Sequence, residues 1–164
     1  MFNNKTIAIV PGSFDPITIG HIYIIKEAAK RYDKVFVAVM INADKSYMFS
    51  LDERKNIASA AVKDIDNVEV ITSNGWLYEL ANSLSADAIV KGYRNDIDLE
   101  YENQMAKFNA EHAPNAKTVL IKSDSSIENI SSTLIRKKIT NGESLNTFLP
   151  QEAIDEIEKI ILTK

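Results

Sequence analysis

Cysteine is missing from this chain of 164 residues, and with it go a thiol nucleophile, a disulfide framework, an iron–sulfur cluster and cysteine-ligated zinc. Histidine is scarce: His21 and His112 are all that the chain offers for imidazole chemistry. A basic excess is missing too. Lys and Arg number 19 against 23 Asp and Glu, a formal net charge of −4. The clustered positive charge of a duplex-binding surface is therefore not expected, and no nucleic-acid partner is expected either. Any phosphate site has to be built locally. No apolar run nears the roughly 20 residues that span a bilayer. The opening Met1-Phe2-Asn3-Asn4-Lys5 has neither the apolar region nor the small-residue cleavage site of a secretion signal. A cytoplasmic protein with no membrane partner is the expectation.

What is present is the balance of an ordinary globular domain, 45% hydrophobic and 26% charged. A single domain over residues 1–164 is expected, large enough to bury roughly 70% of its unfolded surface without metal or disulfide staples. Short apolar, β-branched runs at residues 6–10, 35–41, 68–72, 88–90 and 118–121 read as buried strands. Helical spacing fills the gaps. Ile22, Ile25, Ala29 and Tyr32 recur at steps of three or four, as do Leu51, Ile57, Ala58, Ala61 and Val62. Ser50-Leu51-Asp52-Glu53 is a capping box that fixes where the second helix starts. Further helices are read at residues 76–85, 98–112, 131–139 and 151–162, the last entered through Pro150 as a first-turn residue. Alternation of this kind requires right-handed crossovers and a parallel sheet covered on both faces. The fold class is α/β: one Rossmann-like, doubly wound domain with a five-stranded parallel sheet and a C-terminal helix.

Ligands of such sheets sit beyond the carboxyl ends of the strands, where the strand order reverses. The loops to inspect are residues 11–20, 42–50, 73–75, 91–97 and 122–130. In the first, Pro11-Gly12-Ser13-Phe14-Asp15-Pro16-Ile17-Thr18-Ile19-Gly20-His21 runs from a strand into a helix. A glycine there lets backbone amides approach an anion, Ser13 adds a hydroxyl, and the helix start adds unpaired N–H donors and partial positive charge. An imidazole at His21 can donate to charge developing on a phosphoryl group. The plainer alternative makes Gly12, Pro16 and Gly20 turn punctuation and His21 a satisfied polar residue. Neither the Gly-x-Gly-x-x-Gly fingerprint nor the Gly-Lys-Ser/Thr ending of a P-loop is present, so dinucleotide dehydrogenases and P-loop NTPases fit badly.

Gly12-Ser13-Phe14-Asp15-Pro16 followed by Thr18-Ile19-Gly20-His21 resembles the signature of the nucleotidyltransferase superfamily, and most closely its phosphopantetheine adenylyltransferase branch, which uses threonine where Thr18 stands. The resemblance runs from Thr6 to Pro150. It takes in Lys45, Met48-Phe49-Ser50-Leu51-Asp52-Glu53-Arg54, Lys91-Gly92-Tyr93-Arg94, Asp98-Leu99-Glu100-Tyr101-Glu102, Ile130-Ser131-Ser132-Thr133 and Phe148-Leu149-Pro150. It implies reversible transfer of AMP from ATP to 4′-phosphopantetheine, giving dephospho-coenzyme A and pyrophosphate in the penultimate step of coenzyme A synthesis. The displacement it implies at the α-phosphorus is direct, with no covalent enzyme intermediate. That suits a chain that offers donors and cations for positioning and electrostatic stabilisation.

Carried over residue by residue, the resemblance makes His21 the transition-state stabiliser, with Lys45 and Arg94 in catalytic roles. It sets Ser13, Lys45, Leu77 and Lys91 on the acceptor, Leu77 along the pantetheine arm. Relatives commonly have arginine at Lys91, so the charge is kept and the bidentate fork lost. ATP falls to Ser13, Phe14, His21, Gly92, Tyr93, Arg94 and Glu102, with Ile127, Glu128, Asn129, Ile130, Ser131, Ser132 and Thr133 enclosing its phosphates. Mg2+ is expected to arrive with ATP, with no metal ligand from the chain. A homohexamer and inhibition by coenzyme A are implied as well. Plainer readings stand beside these: Ser131 to Thr133 as helix caps, Asp98 to Glu102 as an acidic first turn, Arg136 to Lys138 as a solvated face. Trp76 reads as core or rim and His112 as a surface residue without a role. The competing functions are a CTP-using transferase of the same superfamily and a noncatalytic nucleotide sensor.

Overall fold

The computed structural model describes residues 5–164; residues 1–4, on which the secretion-signal reading rests, lie outside them. Five parallel strands, β1 (Ile7–Gly12), β2 (Lys34–Met40), β3 (Val68–Ser73), β4 (Ala88–Tyr93) and β5 (Lys117–Lys122), form one sheet in the order β3-β2-β1-β4-β5. The chain winds outward from β1 to β3, returns to lay β4 on the free side of β1, and finishes with β5. The reversal therefore lies between β1 and β4.

Strand periodicity splits the core in two. Ala8, Val10, Val35, Val37, Val39, Ala88 and Val90 face α1 (Ile19–Arg31), α2 (Leu51–Val62), α5 (Ser132–Thr140) and α6 (Gln151–Leu162) in the larger cluster, while Ile9, Ala38 and Ile89 face the smaller one. That second face is covered by α3 (Leu77–Ser83) and α4 (Asp96–His112). In α2 the capping box forms as expected: Ser50 Oγ accepts from the Glu53 amide at 3.1 Å, and Glu53 Oε1 accepts from the Ser50 amide at 2.9 Å.

Most boundaries shift by one or two residues from the sequence reading, and three of the differences bear on the site or its surroundings. β4 continues through Lys91, Gly92 and Tyr93, assigned above to a loop, because their pairing with Leu120, Ile121 and Lys122 of β5 carries on unbroken. α4 starts at Asp96 rather than at 98, since Asn95 caps it by accepting from the Asp98 amide at 2.9 Å. Pro150 stands at the N-cap of α6, just outside the first turn.

Candidate active site

At the carboxyl end of the β1/β4 reversal lies a cavity of about 680 Å3 whose wall includes His21, Lys45, Lys91 and Arg94. Two helix starts meet there: Gly20 and His21 from α1, Ser131 and Ser132 at the entry to α5. At α1 the first-turn amides are taken up by Thr18 Oγ1 and the Phe148 carbonyl, whereas at α5 Ser131 Oγ takes only that of Leu134.

His21 occupies the third position of α1, and its ring is fixed by the cap. Thr18 Oγ1 accepts from the amides of Gly20 (3.1 Å) and His21 (3.3 Å), while the Thr18 amide donates to His21 Nδ1 at 3.0 Å. A backbone N–H can only donate, so Nδ1 is the acceptor and the neutral ring carries its proton on Nε2. Burial, aided by the positive charge of Arg94, pushes the imidazole pKa down to about 4. At neutral pH His21 is therefore an uncharged donor of one tautomer. The Phe14 ring meets it edge-on with centroids 5.0 Å apart.

This has a measurable effect on stability. Unfolded, the imidazole takes up a proton as pH falls below its usual value of about 6.5; folded, it does so only near 4. Between those limits the unfolded chain binds more protons, so acidification withdraws up to about 3 kcal/mol of stability. Urea unfolding of the wild type from pH 7 to pH 4.5 is expected to show this fall, and a His21→Gln variant is expected to show a shallower one.

The loop between β1 and α1 is held by residues far away in the chain. Buried Asp15 accepts from the amides of Met48 (2.9 Å) and Phe49 (3.0 Å). Arg136 Nη1 donates to the Asp15 carbonyl at 2.9 Å, and Ser132 Oγ donates to the Pro16 carbonyl at 2.8 Å. Arg54, buried in α2, donates from Nη1 to the Ser13 carbonyl at 2.8 Å and to the Met40 carbonyl at 3.0 Å. The sequence reading names Arg54 only as the end of a matching segment and Arg136 only as part of a solvated face, and gives neither a role. Arg136 is a half-buried strut rather than part of a solvated face. A cation inside an amphipathic helix carries no local mark of which carbonyl it will reach.

Two of the cavity's cations are each paired with one of its acids. Lys91 Nζ lies 2.7 Å from Glu102 Oε2, both side chains largely buried between β4 and α4. Arg94 donates through Nε to Asp98 Oδ2 at 3.0 Å, and Asp98 also accepts from the Arg94 amide at 3.2 Å. Lys45 stands exposed at the cavity wall, on the loop following β2. Lys45, Lys91 and Arg94 thus gather at one cavity where β1, β2 and β4 end, inside an acidic protein.

The cytidylyltransferase-like family matches residues 9–138. The chain is 40% identical over 157 residues to the phosphopantetheine adenylyltransferase of Clostridium perfringens (strain SM101), which covers 96% of each chain. The enzyme of that name from Lactobacillus acidophilus is 41% identical over 155 residues, covering 94% of this chain and 96% of its own length. That of Caldanaerobacter subterraneus is 42% identical over 144 residues, covering 88% and 90%. The chain belongs to the phosphopantetheine adenylyltransferase family. It is therefore an enzyme, a nucleotidyltransferase. A solved structure from Vibrio parahaemolyticus, described as a candidate nicotinate-nucleotide adenylyltransferase, shares the fold at a TM-score of 0.69 and 19% identity, covering 94% of this chain and 93% of its own.

Of the residues that the family resemblance nominates, the cavity brings together His21, Lys45, Lys91, Gly92, Arg94, Glu102, Ile127, Ile130, Ser131 and Ser132. Others lie elsewhere. Phe14 is 2% exposed, in a left-handed backbone conformation (φ 48°), so its side chain supports His21 and is not open to a nucleotide. Gly12 permits this fold-back: a Cβ there would sit 3.0 Å from the Phe14 ring. Leu77 packs into the smaller core cluster rather than lining the cavity. Ser13, Tyr93, Glu128, Asn129 and Thr133 do not line the cavity either, though each is next in sequence to residues that do or to Gly12.

The hydroxyls at the entry to α5 have structural work in this family member. Ser131 Oγ accepts from the Leu134 amide at 3.1 Å, Ser132 holds Pro16, and Thr133 Oγ1 accepts from Arg136 Nη2 at 3.1 Å. The first-turn amides are what that helix start offers to an anion. Trp76 belongs to the surface, 61% exposed, stacked on Tyr78 with centroids 5.8 Å apart. His112 joins the same aromatic group through Tyr78 and Phe108, away from the cavity.

Proposed function

We propose that this nucleotidyltransferase reversibly transfers the adenylyl group of ATP to 4′-phosphopantetheine, giving dephospho-coenzyme A and pyrophosphate. The observation that carries this reading is His21, held as a neutral Nε2–H donor in a cavity walled by Lys45, Lys91 and Arg94. An acceptor phosphate oxygen attacks the α-phosphorus, the bond from that phosphorus to the bridging oxygen of the β-phosphate breaks, and pyrophosphate leaves with the electron pair. No group on the enzyme is adenylylated in between.

His21 donates to a non-bridging α-phosphate oxygen, where negative charge grows in the transition state. Because its pKa lies near 4, it neither gains nor gives up a proton at neutral pH and works as a fixed dipole. Lys45 and Lys91 steer the acceptor phosphate in line. For Lys91 the acceptor and Glu102 compete for one ammonium, so acceptor binding loosens Glu102 and leaves it to the nucleotide side. Arg94 and the first-turn amides of α5 take the β- and γ-phosphates.

Magnesium belongs to this reading as part of the MgATP substrate. The two cavity carboxylates, Asp98 and Glu102, are each bound to a cation of the protein and do not form an open cage for a resident ion. The reading extends to a homohexamer in the cytoplasm and to coenzyme A competing for the same cavity.

Pyrophosphate release tests the whole. With ATP and magnesium, release is expected only when 4′-phosphopantetheine is added, with dephospho-coenzyme A as co-product. Release with CTP in place of ATP would move the chain to another substrate class within its family. Binding of ATP without acceptor-dependent release would make it a sensor.

A further inference from the structure

Arg54 is 2% exposed, and among the described residues no carboxylate pairs with it. A buried cation without a counter-ion is costly, so the contacts it makes instead show what its place in the fold supplies. All its side-chain hydrogen bonds go to backbone carbonyls in or beside the loops that follow β1 and β2. Nε donates to Phe49 at 3.2 Å, and Nη1 donates to Ser13 at 2.8 Å and Met40 at 3.0 Å. The flat face of the guanidinium lies 3.9 Å from the ring centre of Tyr47.

Tyr47 closes the loop that carries Lys45. Its hydroxyl accepts from the Asn42 amide at 2.7 Å and donates to the Asn42 carbonyl at 3.4 Å, and the same carbonyl accepts from the Lys45 amide at 3.0 Å. A continuous set of contacts thus runs from Ser13, through Arg54 and Tyr47, to the turn bearing Lys45. Ser13 lies in the loop after β1 and Lys45 in the loop after β2; the Asp15 carboxylate joins the same two loops at Met48 and Phe49, and the Arg54–Tyr47 contacts extend that tie to the turn at Lys45.

We propose that Arg54 and Tyr47 are positioning residues that set the spacing of Lys45 from Ser13, and so the grip on the acceptor phosphate. This rests on the reading of those two residues as acceptor ligands. Lysine cannot replace Arg54 here, because one ammonium cannot reach three carbonyls in a plane and also stack.

The test is steady-state kinetics of Tyr47→Phe and Arg54→Lys, with amide exchange across residues 42–47. In Tyr47→Phe the ring stack remains and the loop closure is lost. KM for the acceptor is expected to rise about fivefold, the equivalent of one hydrogen bond, with kcat and the KM for ATP within about twofold. Amides at Asn42 and Lys45 should exchange faster. Arg54→Lys is expected to raise the acceptor KM further and to lower kcat as the Ser13 loop loosens. A Tyr47→Phe enzyme with wild-type acceptor KM, or with both KM values raised alike, would overturn the positioning role and leave the reaction standing. A wild type without turnover would overturn the reaction instead. The tie between Tyr47 and Lys45 would then be decided by exchange alone, unchanged rates at Asn42 and Lys45 counting against it.

Discussion

Alanine in place of His21 is expected to lower kcat by about 100- to 1,000-fold, the equivalent of about 2.7–4 kcal/mol of lost transition-state stabilisation, while KM for ATP changes little. The fold should survive. Thr18 Oγ1 still caps α1 through the amides of Gly20 and of residue 21, and only the Thr18 amide loses its partner. His21→Gln, which keeps an N–H donor on a flexible arm, should retain more activity than the alanine variant. Between pH 6 and 8 the wild type and the alanine variant should share the shape of their pH profiles, since an imidazole with a pKa near 4 does not titrate there. Unchanged turnover in the alanine variant, measured as pyrophosphate release, would remove His21 from the chemistry.

Gly92→Ala is expected to be nearly as damaging, for a reason of packing. A Cβ on Gly92 would stand 2.8 Å from Cγ1 and 3.0 Å from Cδ1 of Ile24, which is buried in α1 one turn beyond His21. Overpacking of this kind costs about 1–3 kcal/mol. Ile24 is buried, so relief comes from forcing its side chain off its rotamer or from moving α1 away from β4, and the latter separates His21 from Lys91 and Arg94. Stability and kcat should therefore fall together. Ile24→Ala removes both clashing atoms, so the double variant should recover part of the activity and be more stable than the sum of the single changes predicts. Additive losses in urea unfolding would show that Gly92 is needed for the ligand's approach and not for the helix.

That pair also shows what the sequence could reveal and what it could not. Strand runs, helix faces and the Ser50 capping box are local patterns, and they emerged at nearly the expected places. So did the crevice, because an alternating order of strands and helices points to the carboxyl ends. Gly92 was legible as a glycine of the site region, and it does line the cavity, but its closeness to Ile24 depends on how closely α1 lies on β4. Lys91 and Glu102 were nominated separately, one for each substrate; their pairing follows from the crossing of β4 and α4, which no spacing rule encodes. Phe14 reads as an aromatic in a ligand loop until its left-handed backbone turns the ring inward. Leu77 and Trp76 are neighbours in sequence, yet α3 sends one toward the core and the other into solvent.

The anchors of the first loop have a bearing on synthesis. Ser13, Asp15 and Pro16 leave the ribosome early, whereas Ser132 and Arg136, which hold two of them, follow more than a hundred residues later. The Ile19 amide donates to the carbonyl of Phe148, further on still. A nascent chain that has completed β4 therefore carries the whole signature loop, His21 and the anchors at Met48, Phe49 and Arg54, but lacks those from Ser132, Arg136 and Phe148. Contacts of such long sequence separation form late and slowly. Nucleotide handling should accordingly switch on only when α5 and the segment leading to α6 have docked, so that half-made chains remain inert.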